Sequence, residues 1–93
     1  MLFMVIERYR DQDAKTIYQR FHDEGRLAPE GLKVVHSWVE ANFDRCFLLI
    51  ECDDPRDMQR WVMGWRDLVT FEFCPVVPSK DTVATVEPFL TSD

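Results

Sequence analysis

Leu32-Lys33-Val34-Val35-His36-Ser37-Trp38-Val39-Glu40, followed by Ala41-Asn42-Phe43-Asp44-Arg45 and then by Cys46-Phe47-Leu48-Leu49-Ile50-Glu51-Cys52, is the stretch whose reading decides the fold. Its first arm is β-branched and aromatic with polar residues at alternate positions, and its second is almost continuously apolar; both compositions suit strands. Asn42 and Asp44 supply turn chemistry between them. The stretch reads as a long β-hairpin, and the rest of the chain as its cover or its extension.

Working outward, Leu2 to Tyr9 opens as an unbroken apolar run, as a strand covered on both faces would. Asp11 or Asp13 is placed to cap a helix carrying Ala14, Ile17, Tyr18 and Phe21 on one side, and Gly25 is placed to end it. Arg26 to Gly31 holds Pro29 between Ala28 and Glu30 and is a loop. Beyond the hairpin, Asp54-Pro55 is a helix start, with Asp as cap and Pro where its missing N–H costs nothing. Met58, Trp61, Val62 and Trp65 repeat at the spacing of a core-facing helix stripe. Leu68 to Val77 is a fourth strand, with Val69, Phe71 and Phe73 on one side and Thr70, Glu72 and Cys74 on the other, closed by Pro75 and Pro78. Ser79 is placed to cap a last helix holding Val83, Val86 and Leu90.

The order β-α-β-β-α-β with a tail is the ferredoxin-like plan: an α+β fold with a four-stranded antiparallel sheet, two helices on one face, and the first and third strands in the middle. At 93 residues the chain has room for one hydrophobic core, so the reading is a single domain over 1–93 with a helical tail over 79–93. Its charge of -6 argues against a nucleic-acid partner. No apolar run approaches the ~20 residues of a membrane span. The opening apolar residues lack a basic leader and run into Glu7-Arg8, so the expectation is a cytoplasmic protein. Cys46, Cys52 and Cys74 fall in apolar strand segments without metal-ligand spacing. They are read as free thiols that bind no metal.

Two helices cover one face of such a sheet, and the central strands are apolar on both, so a second copy is expected to cover the other, sheet against sheet. Parity along the strands assigns Met4, Ile6, Val35, Val39, Leu48, Ile50, Phe71 and Phe73 to the face under the helices. The opposite face then holds Phe3, Val5, Glu7, Val34, His36, Trp38, Phe47, Leu49, Glu51, Thr70 and Glu72. That mixture of aromatic surface with carboxylates and an imidazole suits a ligand cavity at a dimer interface.

The chain from Tyr18 to Phe21 and Gly25 to Leu32, with Ser37-Trp38-Val39-Glu40, Arg45-Cys46-Phe47, Glu51 and Trp65-Arg66-Asp67-Leu68-Val69, resembles a family of short bacterial proteins catalogued only as a domain of unknown function. Such proteins are similar to the dimeric α+β barrel superfamily, which pairs two ferredoxin-like sheets and includes cofactor-free monooxygenases, isomerases, haem-binding enzymes and ligand-sensing domains. The resemblance therefore implies a homodimer but carries over no catalytic residue. It also leads one to expect a polar amide where this chain has Leu48, and an amide serving a pocket there would put the site between helices and sheet.

The candidates for chemistry are His36 and Glu51, expected opposite each other in the hairpin, where an imidazole and a carboxylate form either an acid/base pair or a cross-strand ion pair. Trp38, Phe47 and Leu49 would wall the ligand, and Glu7 and Glu72 either crowd Glu51 or face water at the strand ends. Phosphate-cradling glycines, an activated nucleophile and zinc spacing are all missing from the sequence, so no cofactor is expected. Two classes remain: a cavity-bearing protein that binds a small, partly apolar molecule and acts on it without a cofactor, and a dimeric interaction or sensing module with no chemistry of its own.

Overall fold

The computed structural model describes residues 1–91. Strand β1 (Leu2–Tyr9) leads through a 3-10 turn into helix α1 (Ala14–Glu24), and the hairpin is β2 (Leu32–Val39) with β3 (Arg45–Cys52). Helix α2 (Pro55–Met63), strand β4 (Val69–Val76) and helix α3 (Ser79–Val86) complete the order, and the sheet runs β2-β3-β1-β4 with every pair antiparallel. This is the ferredoxin-like α+β plan, with the first and third strands central.

Local chemistry explains the element ends. Asp13 caps α1 by accepting from the Thr16 amide at 3.2 Å, and Asp54 caps α2 by accepting from the Arg56 amide at 3.0 Å with Pro55 behind it. Gly25, at φ 74°, ends α1 in backbone that a side chain would strain. In the hairpin turn, Asn42 Oδ1 accepts from the Asp44 amide at 3.2 Å, and Phe43 sits at φ 61°. Ser79 differs from its expected role: it is the first residue of α3 and Pro78 holds the cap position without a side-chain bond. The last two residues of the tail expected over 79–93 lie outside the described residues.

Phe3, Val5, Leu48, Ile50 and Val69 of the sheet are buried against Ile17 of α1 and against Met58, Trp61 and Trp65. Aromatic contacts tie the layers together: Phe71 and Phe73 stack at 5.8 Å, and Trp61 meets Phe71 edge-on at 5.2 Å. Such contacts are worth ~1 kcal/mol each beyond the area they bury.

The pairing register overturns part of the expected face assignment. Val5 lies opposite Leu48, Phe3 opposite Ile50 and Glu7 opposite Cys46. Directly paired residues share a face, so Phe3, Val5 and Glu7 lie under the helices, while Met4 and Ile6 lie on the open side with Leu49 and Phe47. In β2 the ladder steps from Val34 opposite Ile50 to His36 opposite Leu49, a β-bulge that makes Val35 the extra residue and reverses parity beyond it. Val34 therefore faces the helices together with Ser37 and Val39, and Val35 is removed from that face's regular alternation. Leu48, Ile50, Phe71, Phe73 and Val39 lie under the helices as parity assigned them, and His36, Trp38, Phe47, Leu49, Glu51, Thr70 and Glu72 lie on the open face.

Past β4 the chain leaves the body. None of α3 is buried, and Val77, Val83, Val86, Phe89 and Leu90 are all exposed, Phe89 at 84%. The extents are 58 × 29 × 17 Å and the radius of gyration is 16.4 Å, against roughly 12 Å for a compact chain of this length. No helix is long and apolar enough to cross a membrane among the described residues.

Candidate functional site

The expected site does not assemble as a pair. Glu51 lies opposite Lys33, and His36 lies opposite Leu49, because the hairpin's register differs from the expected one on both sides of the bulge at Val35. Both Glu51 and His36 are exposed. The His36 ring instead lies 5.7 Å from that of Trp38, which is 53% exposed. Arg45 makes a two-pronged pair with Glu40 at 2.9 and 2.8 Å and lies 5.1 Å over the Phe47 ring. Glu72, Phe47 and Leu49 share this open face, whereas Glu7 is on the other side of the sheet.

The cavity lies where Glu7 points. It holds about 150 Å³ between the helices and the sheet. Glu7 and Tyr9 line it from β1, Cys46 and Leu48 from β3, Ser37 and Val39 from β2, and Val69 from β4. Ile17, Tyr18 and Phe21 of α1, Trp61, Trp65 and the loop residue Arg26 close the other side. The walls are chiefly aliphatic and aromatic, with Glu7, Arg26 and Ser37 among a few polar groups, as ligand sites generally are. Tyr18 meets Phe43 of the hairpin turn edge-on at 6.4 Å, so the turn closes over the α1 rim.

Arg26 is positioned by its backbone. Its carbonyl accepts from both indoles, Trp65 Nε1 at 2.7 Å and Trp61 Nε1 at 3.2 Å, which fixes the loop after Gly25 against the core. Leu27, at φ 56°, then turns the chain away. The Arg26 guanidinium lies 5.5 Å over the Phe21 ring and donates to Ser37 Oγ at 3.5 Å. The loop's far end is equally constrained, since a side chain at Gly31 would run into the Asp57 carboxylate.

Burial dominates the electrostatics. Loss of solvent pushes the Glu7 carboxyl up to about 7, a rise that the Cys46 thiol, by hydrogen bonding, and the Arg26 charge only partly offset. Burial likewise pushes the Cys46 thiol up to about 12, with Glu7 adding to it. The Tyr9 phenol is raised by burial and by its hydrogen bond to Tyr18. Near neutral pH, then, Cys46 and Tyr9 are fixed as neutral groups and Glu7 is divided between its two forms. No fully buried side-chain nitrogen or oxygen lacks a partner among the described residues.

Arg26, Tyr9 and Tyr18 were not among the expected site residues, although Tyr18 and Arg26 both stand within the stretches that bear the family resemblance. Leu48 was the available signal. It lines this cavity, which occupies the alternative position that an amide there would have indicated.

A family model described as a domain of unknown function, DUF3303, matches residues 1–90. No curated protein and no solved structure matches the chain.

Proposed function

The chain belongs to that family, which carries no assigned activity, and from the site itself we propose that it binds a small, partly apolar molecule in the cavity between helices and sheet. The observation that carries this reading is the cavity's make-up: aromatic and aliphatic walls with Glu7 and Arg26 both among its lining. Its volume of about 150 Å³ resembles that of cavities known to accept a single benzene-sized ring. Arg26 favours a ligand that presents a carbonyl or anionic oxygen, and the indoles hold it in place before a ligand arrives.

The same proposal includes a homodimer. Met4, Ile6, Phe47 and Leu49 form a half-buried apolar patch on the open face, with Trp38 beside it. The projecting segment from Val77 to Leu90 offers further apolar surface that its own body leaves uncovered. A second copy of this chain is the occupant with matching surface: it brings an equal sheet face and an equal arm.

Methyl-detected NMR during titration with benzoate and with phenol tests the binding site. Shifts in Ile17, Val39, Leu48 and Val69 are expected, with the open-face methyls of Met4, Ile6 and Leu49 unmoved. Shifts confined to the second group, or none in either, would refute this location.

A further inference from the structure

Within that cavity, and resting on the binding reading just given, we propose that the protein catalyses proton transfer on a small enolisable ring ketone, with Glu7 as the base and Arg26 as the partner of the developing oxyanion. The geometry supplies one carboxylate and one guanidinium on a shared apolar cavity. Glu7 is held on the regular ladder of a central strand, opposite Cys46 on one side and Phe71 on the other. Arg26 is held by two indole hydrogen bonds to its carbonyl. A base on a rigid strand and a cation on a pinned loop are what a carbon acid requires, because the charge leaves one atom and develops on another.

Other chemistries fail at this site. Cys46 is locked as a thiol by burial and by the neighbouring carboxylate, so it is a poor nucleophile. Ser37 has Arg26, a donor, as its hydrogen-bonding neighbour, and no base is hydrogen-bonded to it among the described residues. The charged and titratable groups facing Glu7 are Tyr9 on its own strand, Cys46 on β3, Tyr18 on α1 and Arg26 on the loop. Strand β4 and helix α2 contribute Val69, Phe71 and Trp61, which do not titrate. With the Tyr9 phenol and the Cys46 thiol neutral, the proton that can move near neutral pH is the one on Glu7.

The step balances without a co-reactant. The Glu7 carboxylate removes a proton from the carbon between the carbonyl and a β,γ double bond; the C–H bond breaks and a carboxyl O–H bond forms. The electron pair passes into a dienolate whose oxygen faces Arg26. The Glu7 carboxyl, which exchanges its proton with solvent while the dienolate is bound, then gives a proton to the γ carbon, the carbonyl re-forms, and the conjugated isomer leaves.

Cyclohex-3-enone is the probe, a single ring matched to the cavity. Conversion to cyclohex-2-enone is followed by ultraviolet absorbance, deuterium uptake from heavy water by NMR, and binding by the cavity methyls. The proposal expects catalysed conversion that rises with pH through an inflection near 7. Glu7→Gln should lower turnover about 100-fold or more while probe binding persists, and Arg26→Met should lower kcat more than it raises KM. Because the pH profile is read on the wild-type protein, it bears on the proposal even if a variant fails to fold. Binding without conversion or deuterium uptake would overturn the proton-transfer proposal and leave the binding reading standing. Absence of cavity shifts with cyclohexenone, benzoate and phenol alike would overturn both. Turnover unchanged in Glu7→Gln would overturn the role of Glu7.

Discussion

Glu7→Gln should make the protein more stable at pH 8 and leave it nearly unchanged at pH 4. In the folded chain burial holds the Glu7 carboxyl near 7, against 4.5 for an ordinary glutamate. Between those values the folded protein keeps a proton that the unfolded chain has released, so stability falls as pH rises through this window and levels off above it. The gap from 4.5 to about 7, at about 1.4 kcal/mol for each factor of ten in proton affinity, comes to about 3 kcal/mol. That is a large part of the 5–15 kcal/mol typical of a domain, and for a chain of this size corresponds to a melting shift of about 10 °C or more. The glutamine mimics the protonated acid in shape and stays neutral throughout, so it escapes the penalty. Urea unfolding from pH 4 to pH 8, followed by the emission of Trp61 and Trp65, measures the difference directly, and the remaining titrations cancel between the two proteins. A stability difference that stays constant across this range would refute the claim that Glu7 is desolvated, and with it the basis for treating Glu7 as a base near neutral pH.

Sedimentation equilibrium at micromolar concentration should find twice the 11.1 kDa chain mass, and a single species at 11.1 kDa would remove the proposed dimer. Since both indoles donate to the same Arg26 carbonyl, Trp65→Phe or Trp61→Phe alone should cost about 1–3 kcal/mol in urea unfolding, chiefly for the ring volume lost from the core, because the carbonyl keeps its other bond. The double variant should cost more than the two single losses together; simple additivity would show that the shared carbonyl does not anchor the loop. Thiol titration should find three free groups per unfolded chain prepared without reductant. In the folded protein at pH 8, Cys46 should react more slowly than the half-buried Cys74, being buried and raised to about 12; Cys46 reacting first would contradict that environment.

The elements were legible because each carried its own local signal. The Asp-Pro start of α2, the Gly25 end of α1 and the Asn-Asp turn all act within a few residues, and the apolar strands β1 and β3 declared their central positions by being apolar throughout. What local signals left open was phase. Strand β1 is apolar at Phe3 and Val5 and equally at Met4 and Ile6, so hydrophobic contrast did not say which set faces the helices. Glu7 broke the tie in the wrong direction, since a carboxylate is ordinarily assigned to the wetter face. The bulge at Val35 left no mark at all, because Val34-Val35-His36 reads as an uninterrupted strand.

These two failures have the same consequence for the site. A carboxylate under the helices costs stability, and sequence reasoning that minimises such cost moves Glu7 outward and joins it to His36 and Glu51. The fold instead accepts the penalty, sets the group beside the Cys46 thiol and the Tyr9 phenol, which stay neutral, and brings Arg26 in from a loop. Local rules are expected to fail where a structure retains a strained or desolvated group, and such groups concentrate at functional sites. The residue that the sequence reading misplaced is therefore the one whose placement most sharply distinguishes a binding or catalytic cavity from ordinary packing. Leu48 fits this view from the opposite side: with an apolar residue there, Glu7 and Arg26 are left as the charged groups of the cavity wall, and a ligand oxygen has one cation to meet.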